Sequence, residues 1–354
     1  MVLQNFIKRF YEKPPRPFST DAEASYTVRM KVYLVKRAFF TFRGEKSFDL
    51  DLAGQSCLER MKSNLGAEIV DGALPSGEKL VLYPVFPFLT PEKLSAFLSV
   101  HTGSLRFRGG FLERDGVFRE GNDPDGGMFT LADYAAMRAQ AFRESGIRFA
   151  ARGALVEDGA QVDACAQLGR GCIVRRGSVI KGKCVLGENA VVSGDSYLED
   201  SYIGANTHID SSRICTSSVG DNCSVGPYAS LRPGTRVGDQ VRLGAFVECK
   251  NACIGDRCKI AHLAYVGDAD LAERVNVGCG VVFVNYDGKR KSRSSVGKNS
   301  FLGSNCNLVA PVRIGEGCFI AAGTTVTCDL SDGDFCIGRN RETVKKDRAK
   351  KYLG

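Results

Sequence analysis

Aliphatic residues recur at almost every sixth position between residues 156 and 331. This period fits neither a helix of 3.6 residues per turn nor the two-residue alternation of a strand. It is typical of a parallel β-helix, in which six residues form one flat face and three faces form one coil. We therefore predict about ten coils, stacked to a height on the order of 45 Å. The unbroken runs are Val156, Val162, Leu168, Val174, Ile180, Leu186, Val192 and Leu198; Val225, Leu231, Val237 and Leu243; and Val296, Leu302, Leu308, Ile314, Ile320 and Val326.

The largest break in the period is the segment VVFVNYDGKRKSRSS, residues 281–295. A β-helix tolerates an insertion only where the extra residues leave the prism at a corner, and such loops often carry function. We expect this loop to lie over a site. The alternative is a solvated basic loop without a role.

The N-terminal residues follow a different pattern. Short apolar runs alternate with stretches typical of helices over residues 46–128, which predicts a small α/β domain. In the stretch TPEKLSAFLS, Thr90 is predicted to cap a helix whose first residue is Pro91.

Residues 129–149 form the strongest helix pattern of the chain. Thr130 is its predicted cap, Asp133 lies in its first turn and Gly146 marks its predicted end. The predicted domain order is an α/β domain at 1–128, a linker helix at 129–149, a β-helix at 150–331 and a basic C-terminal tail at 332–354.

Composition restricts the class of protein. The chain has 354 residues, 44% hydrophobic and 25% charged, as in an ordinary soluble globular protein. No run of about 18 uncharged apolar residues and no typical signal peptide is present, so we expect a cytoplasmic protein without membrane insertion. The fourteen cysteines include no CxxC pair and fall mostly inside the repeats, so we expect reduced, structural thiols and no metal site.

Several segments resemble a known family in order and spacing: VGPYASLRPGT, GAFVECKNA, AHLAYVGDA, NVGCG, VNYDGKRK, FLGSNCNLVAPVRIG and IAAGTTVTCDL. They resemble the acetyltransferase domain of bacterial bifunctional N-acetylglucosamine-1-phosphate uridyltransferase/glucosamine-1-phosphate acetyltransferases. The resemblance covers residues from about 226 to 339. It implies a mainly β protein with a left-handed parallel β-helix, a homotrimer with active sites between chains, and the conversion of glucosamine 1-phosphate to N-acetylglucosamine 1-phosphate in UDP-N-acetylglucosamine biosynthesis.

The spacing gives independent support for a phosphate site. Arg232 and Lys250 are eighteen residues apart, one full coil, and should therefore stack about 4.8 Å apart. Two stacked cations repel each other unless an anion lies between them, and a sugar phosphate would suit the pair. Ser304 and Ala322 have the same spacing, and their small side chains would leave a groove for an extended cofactor arm.

The resemblance also assigns individual residues. It implies that His262 is the general base for the amine nucleophile, a role that suits an imidazole near neutral pH, and that Glu248 orients or polarises it. It assigns the sugar phosphate to Arg232, Lys250, Tyr265 and Asn276. It assigns acetyl-coenzyme A, the co-substrate, to Cys279, Asn285, Tyr286, Ser304, Ala322 and Arg339.

This chain departs from the family pattern at a few of these positions. Ala261 replaces a glycine and Cys279 replaces an alanine, and both changes are small. Asn251 stands where the family often has a second lysine, which removes one charge from the predicted phosphate site.

The N-terminal part resembles the nucleotidyltransferase half of the same family only partially. Val85 occupies the position of an aspartate that would hold catalytic magnesium, and valine offers no oxygen to a hard cation. The glycine-rich phosphate loop is missing as well. We therefore expect a truncated, degenerate domain without uridyltransferase activity.

The C-terminal segment contributes much of the formal net charge of +8. No series of stacking aromatic residues accompanies it, so we do not expect nucleic-acid binding. We expect a solvated tail that helps to neutralise coenzyme A phosphates.

Two alternatives stay open. The chain could be a hexapeptide acyltransferase acting on another amino sugar or nucleotide sugar, or a non-catalytic trimeric scaffold. A β-helix of the carbonic anhydrase type is excluded, because it needs three histidine ligands and the repeats hold only His208 and His262.

Overall fold

In the computed structural model, the structure describes residues 31–39, 41–42, 45–71, 74, 76, 79–101, 103–114, 118–124, 127–339 and 342–349. The chain divides into two compact units. The described residues up to Ala38, together with Leu58–Gly127, form the first unit, and Phe39–Cys57 with Met128 onwards form the second. The predicted fold class, a β-helix preceded by a short α/β region and a helix, is confirmed.

The first unit is built around a small mixed sheet with a core of leucines. Leu34, Leu80, Leu82 and Leu112 are completely buried there. The described strands of this sheet are β1 Lys31–Leu34, β4 Glu68–Ile69, β5 Lys79–Leu82, β6 Leu105–Phe107, β7 Gly110–Glu113 and β8 Arg119–Glu120. They are arranged in the order β4-β1-β5-β7-β6-β8, with β1 parallel to both β4 and β5.

Two short helices belong to the N-terminal region, α1 Cys57–Leu65 and α2 Pro91–Val100. The predicted start of α2 is confirmed: the Oγ1 of Thr90 accepts a 3.4 Å hydrogen bond from the backbone N–H of Lys93, and Pro91 is the first helical residue. The strands β2 Thr41–Phe42 and β3 Glu45–Lys46 form a short antiparallel hairpin. The hairpin lies in the segment Phe39–Cys57, which belongs to the second unit.

The long helix α3 spans Leu131–Ala150. Its predicted cap is confirmed, because Thr130 and Asp133 exchange side-chain and backbone hydrogen bonds in a capping box. The predicted end at Gly146 is wrong. The helix continues for one more turn and the chain reverses after it at Gly153, whose φ of +85° lies in the left-handed region that favours glycine.

The β-helix has three faces, named here A, B and C in the order in which the chain visits them. Face A contains β9 Leu155–Val156, β12 Ile173–Val174, β15 Val191–Ser193, β18 His208–Asp210, β21 Ser224–Val225, β28 Asn276–Val277, β31 Phe301–Leu302, β34 Phe319–Ile320 and β36 Phe335–Cys336. Face B contains β10 Gln161–Val162, β13 Val179–Lys181, β16 Tyr197–Glu199, β19 Arg213–Cys215, β22 Ser230–Arg232, β29 Val282–Val284, β32 Asn307–Val309 and β35 Thr325–Val326.

Face C is a separate parallel sheet. It contains β11 Gln167–Leu168, β14 Val185–Leu186, β17 Tyr202–Ile203, β20 Ser218–Val219, β23 Arg236–Val237, β25 Cys253–Ile254, β27 Ala269–Leu271, β30 Ser294–Val296 and β33 Arg313–Ile314. Two longer strands, β24 Arg242–Lys250 and β26 Lys259–Gly267, run from face A around a corner into face B.

The six-residue pattern correctly predicts the interior. Every aliphatic residue of the three runs is buried except Val156 and Leu168, which are partly buried against the same core. Cys249 and Phe283 also point inward at 0% and 1% exposure, two positions that an aliphatic pattern misses. The predicted excursion is confirmed, since the chain leaves the prism between β29 and β30.

Candidate active site

One part of the candidate site is the corner where face B turns into face C, called here the B/C corner. Arg232 and Lys250 are direct register neighbours on β22 and β24, as their spacing predicts. The Nη1 of Arg232 donates a 2.8 Å hydrogen bond to the Oε1 of Glu248, and this ion pair raises the pKa of Arg232. Glu248 in turn is the register neighbour of Tyr265 on the next coil.

The inserted loop brings a third cation to this corner. Lys291 lies close enough to Lys250 that, with Arg232, it lowers the pKa of Lys250 from its ordinary value. A lysine that gives up its proton more easily marks a surplus of positive charge. An anion bound between these side chains would relieve the repulsion. Lys291 was missed by the sequence analysis, although the insertion that carries it was expected to lie over a site.

The base of the loop is held by an acid and two amides. The Nδ2 atoms of Asn251 and Asn285 donate to the two carboxylate oxygens of Asp268, at 2.7 and 2.5 Å. Burial alone would raise the pKa of Asp268, but these hydrogen bonds and the charges of Lys291 and Lys250 outweigh it and lower the pKa. Asp268 lies seventeen residues after Asn251, which is one coil at this point of the prism, so an eighteen-residue spacing does not reveal it.

The other end of the loop is fastened by Arg293. Its Nε donates to Asp270 Oδ2 at 2.6 Å, and its Nη1 donates to the backbone oxygen of Asn251 at 2.8 Å. The hydrogen bond from Arg293 lowers the pKa of Asp270. Both ends of the insertion are thus tied to the same corner.

His262 lies at a different edge, the corner where face A turns into face B, called here the A/B corner. Its imidazole is exposed, and its register neighbour on β24 is Ala245. Within the described part of the chain, His262 has no hydrogen-bond partner, and Glu248 binds Arg232 instead. The predicted pairing of Glu248 with His262 therefore stays a prediction.

The backbone around His262 is unusual. Leu263 has a φ of +31° and Phe246, on the preceding coil, a φ of +60°. Bulky residues rarely adopt such values, and they concentrate at functional sites. The ring of Phe246 stacks on that of Tyr228 with centroids 5.5 Å apart, so an exposed apolar ridge runs beside the imidazole.

The residues assigned to coenzyme A by resemblance fall into two groups. Three of them are exposed and lie at the A/B corner, one on each of the successive coils that stack beyond the coil of Leu263. They are Cys279, Ser304 and Ala322. The Nη1 of Arg339 donates to the backbone oxygen of Ala322 at 2.8 Å and so closes this column. The column is called here the A/B strip, comprising His262, Cys279, Ser304, Ala322 and Arg339.

The other two predicted cofactor residues lie at the B/C corner. Asn285 is buried and donates to Asp268, and also to the Oη of Tyr265 at 3.4 Å. Tyr286 is exposed, and its hydroxyl donates to the backbone oxygen of Gly288 within the loop. Asn276, predicted for the sugar, lies on face A beside Lys259 and Phe301. Within one chain, the residues predicted to bind the sugar and the coenzyme therefore lie on different faces and corners of the prism.

No group of three or more potential metal ligands occurs among the described residues. All fourteen cysteines are free, and burial raises the pKa of several of them, to about 12 for Cys249. None of the helices in the described ranges is long and apolar enough to cross a membrane.

The stacked six-residue turns define the class of protein. A family model, the bacterial transferase hexapeptide with six repeats, matches residues 216–251 and 293–328. Over these residues the β-helix is thus similar to transferase hexapeptide repeats.

The more particular resemblance is confirmed by sequence comparison. The chain is 46% identical over 185 residues to the bifunctional protein GlmU of Clostridioides difficile, and 42% identical over 189 residues to that of Listeria monocytogenes serotype 4a. These matches fall in the C-terminal half and include 52% and 53% of this chain. They include only 40% and 41% of the relatives, so the chain spans less than half of their length.

Solved structures resemble the chain more distantly. A UDP-N-acetylglucosamine acyltransferase from Bacteroides fragilis is 15% identical with a TM-score of 0.32, covering 50% of this chain and 68% of that one. The corresponding Arabidopsis enzyme is 18% identical with a TM-score of 0.29, covering 51% and 68%. Scores this low carry no argument about function.

Proposed function

We propose that this chain is an acetyl-coenzyme A-dependent N-acetyltransferase that converts glucosamine 1-phosphate to N-acetylglucosamine 1-phosphate, a step of UDP-N-acetylglucosamine biosynthesis. The observation that carries the proposal is the cluster of Arg232, Lys250 and Lys291 at the B/C corner. The sequence similarity to GlmU proteins supports the same acceptor. The cluster suits a phosphate monoester, because guanidinium and ammonium groups form its strongest hydrogen bonds.

His262 acts as the general base in this proposal. The amine of the sugar must lose a proton to attack the thioester carbonyl carbon, and an exposed imidazole can accept it. As the C–N bond forms, the C–S bond breaks and coenzyme A leaves as the thiolate. The A/B strip would hold the pantetheine arm, because its small residues leave room beside His262 and Arg339 offers a fork to the phosphates.

The arrangement favours a site shared between copies of the chain. Tyr265 on face B and Lys250 at the B/C corner lie near each other on strands paired in register, whereas Asn276 lies on face A and does not reach them within one prism. Placing face B of one copy against face A of the next would bring them together. We propose a homotrimer on this ground, since cyclic assemblies close by repeating one such contact.

The test is an acetyl-transfer assay with glucosamine 1-phosphate and with glucosamine. We expect the phosphorylated acceptor to be strongly preferred. Lys250→Ala should raise KM for it about tenfold or more, because a charge-assisted contact is lost, and should reduce the preference. Lys181→Ala is the control, an exposed lysine on face B whose Nζ lies 3.3 Å from Glu199. Equal use of both acceptors by the wild type would refute the proposed substrate.

A further inference from the structure

Three phenylalanines form a ladder on the outer side of face A at its C-terminal end. The rings of Phe301 and Phe319 have centroids 4.9 Å apart and are tilted by 15°, and those of Phe319 and Phe335 are 5.6 Å apart and tilted by 14°. They occupy one register position on β31, β34 and β36. The ladder is well exposed, at 45% for Phe319 and 64% for Phe335.

Phe335 ends this ladder. Its strand β36 pairs with β34 and, within the described residues, no strand follows it on face A. One face of the ring is therefore covered by Phe319, while the other faces away from the stack. A flat aromatic surface held in a fixed plane by its neighbours is well suited to another flat ring, because little conformational freedom remains to be lost.

The ladder runs beside the A/B strip. The small residue Ser304 follows Phe301 by three positions, just after β31, and Ala322 follows Phe319 by three, just after β34. After Phe335 the chain continues alongside the preceding coil, where the backbone N–H of Gly338 donates to the Oγ1 of Thr324, and Arg339 reaches the backbone oxygen of Ala322. The open ring and a guanidinium thus flank the end of the strip that is farthest from His262.

We propose that Phe335 is the adenine platform of the coenzyme A site, with the base stacked on its open face as a fourth ring of the ladder. This inference rests on the proposed use of acetyl-coenzyme A. Two features of the molecule favour the adenosine end of the coenzyme as the occupant. Aromatic side chains bind nucleobases by stacking, and the end of the strip carries the positive charge of Arg339, which complements the phosphates attached to the ribose.

The rival occupant is a second copy of this chain, because the trimer proposed above sets face B of one copy against face A of the next, where Asn276 and the ladder share one column. A protein partner would bury the ring without discriminating between ligands that have or lack adenine. The two possibilities therefore differ in how a substitution of Phe335 changes the affinity for two thioesters, acetyl-coenzyme A and acetyl-4′-phosphopantetheine. The latter lacks the adenosine end.

The experiment measures binding of both thioesters by calorimetry, without an acceptor sugar, to the wild type, Phe335→Leu, Phe335→Trp and Phe301→Leu. Phe335→Leu keeps an apolar side chain but removes the flat ring, so we expect the Kd of acetyl-coenzyme A to rise about tenfold. Acetyl-4′-phosphopantetheine should bind equally to both proteins. Phe335→Trp should restore or exceed wild-type affinity. Phe301→Leu, the same substitution at the covered end, should change either Kd by no more than about twofold.

Several outcomes would overturn the inference. Equal weakening of both thioesters by Phe335→Leu, or a loss of the wild-type oligomer in sedimentation, would assign the ladder to protein contact. If Phe335→Leu binds acetyl-coenzyme A as tightly as the wild type, the assignment of Phe335 to adenine is refuted, while the proposed acetyl transfer is unaffected. Absence of acetyl-coenzyme A binding to the wild type would instead refute the proposed function itself.

Discussion

The guanidinium of Arg232 donates a 2.8 Å hydrogen bond to the carboxylate of Glu248 on the neighbouring coil. The family resemblance implies that Glu248 acts on His262, but the observed partner of Glu248 is Arg232. In this chain the carboxylate fixes a cation beside the proposed phosphate site. The side chain of Glu248 is 41% exposed, so this ion pair contributes little to the free energy of folding. Its role is to hold the guanidinium of Arg232 in place.

We expect Glu248→Ala to raise KM for glucosamine 1-phosphate by up to about fivefold, because Arg232 loses the group that holds it in place. KM for glucosamine should change less. Glu248→Gln is the matched variant, since its amide oxygen can still accept from Arg232, and it should lie closer to the wild type. Equal effects on both acceptors, with a shifted pH dependence of kcat, would show instead that Glu248 acts through His262.

The regular part of this structure follows from sequence because one period determines both the interior and the stacking. The step of eighteen residues that pairs Arg232 with Lys250 is the same step that buries Leu231 over Cys249. The insertion breaks this rule, so no spacing predicts that Lys291 returns to Lys250. That return depends on Asn285 and Arg293, whose hydrogen bonds fasten the two ends of the loop.

A shared site predicts recovery of activity when two defective variants are mixed. Lys250→Ala damages the B/C corner and Asn276→Ala damages face A. If one copy supplies each residue, about a quarter of the sites in randomly mixed oligomers contain both wild-type residues. We expect co-expressed variants to be more active, at low acceptor concentration, than either variant alone. Activity no higher than the average of the two would place both residues in one chain.

Acidification should weaken the insertion loop through Asp268. Its pKa is lowered in the folded chain, so its contribution to stability is present above the unfolded-state pKa and is lost as pH falls through the folded-state pKa. We expect Asp268→Asn to lower the thermal midpoint at pH 7. The difference from the wild type should shrink as the pH falls below about 4.

The control for this measurement is Asp158→Asn, an exposed carboxylate without a hydrogen bond in the described part of the chain. Its effect on the thermal midpoint should be small. A difference between wild type and Asp268→Asn that stays constant down to acidic pH would mean that the charge of Asp268 contributes nothing to folding.

The N-terminal unit should not transfer a uridyl group. Val85 is completely buried and brings no oxygen to the position where the resemblance expects a magnesium ligand. We therefore expect no pyrophosphate release from UTP and N-acetylglucosamine 1-phosphate in the presence of magnesium. A full-length bifunctional GlmU protein serves as the positive control. Release at a comparable rate would contradict the interpretation of this unit as degenerate.

His262 provides the most direct test of the chemical step. If its imidazole accepts the amine proton, His262→Ala should lower kcat by about 10²- to 10⁴-fold. Binding of acetyl-coenzyme A should stay nearly unchanged, because the lost interaction forms only during reaction. His208→Ala is the matched control, since His208 is also an exposed histidine of the β-helix but lies on an earlier coil of face A. Full turnover by His262→Ala would exclude this residue as the base, and an equal loss in His208→Ala would show that the effect is structural.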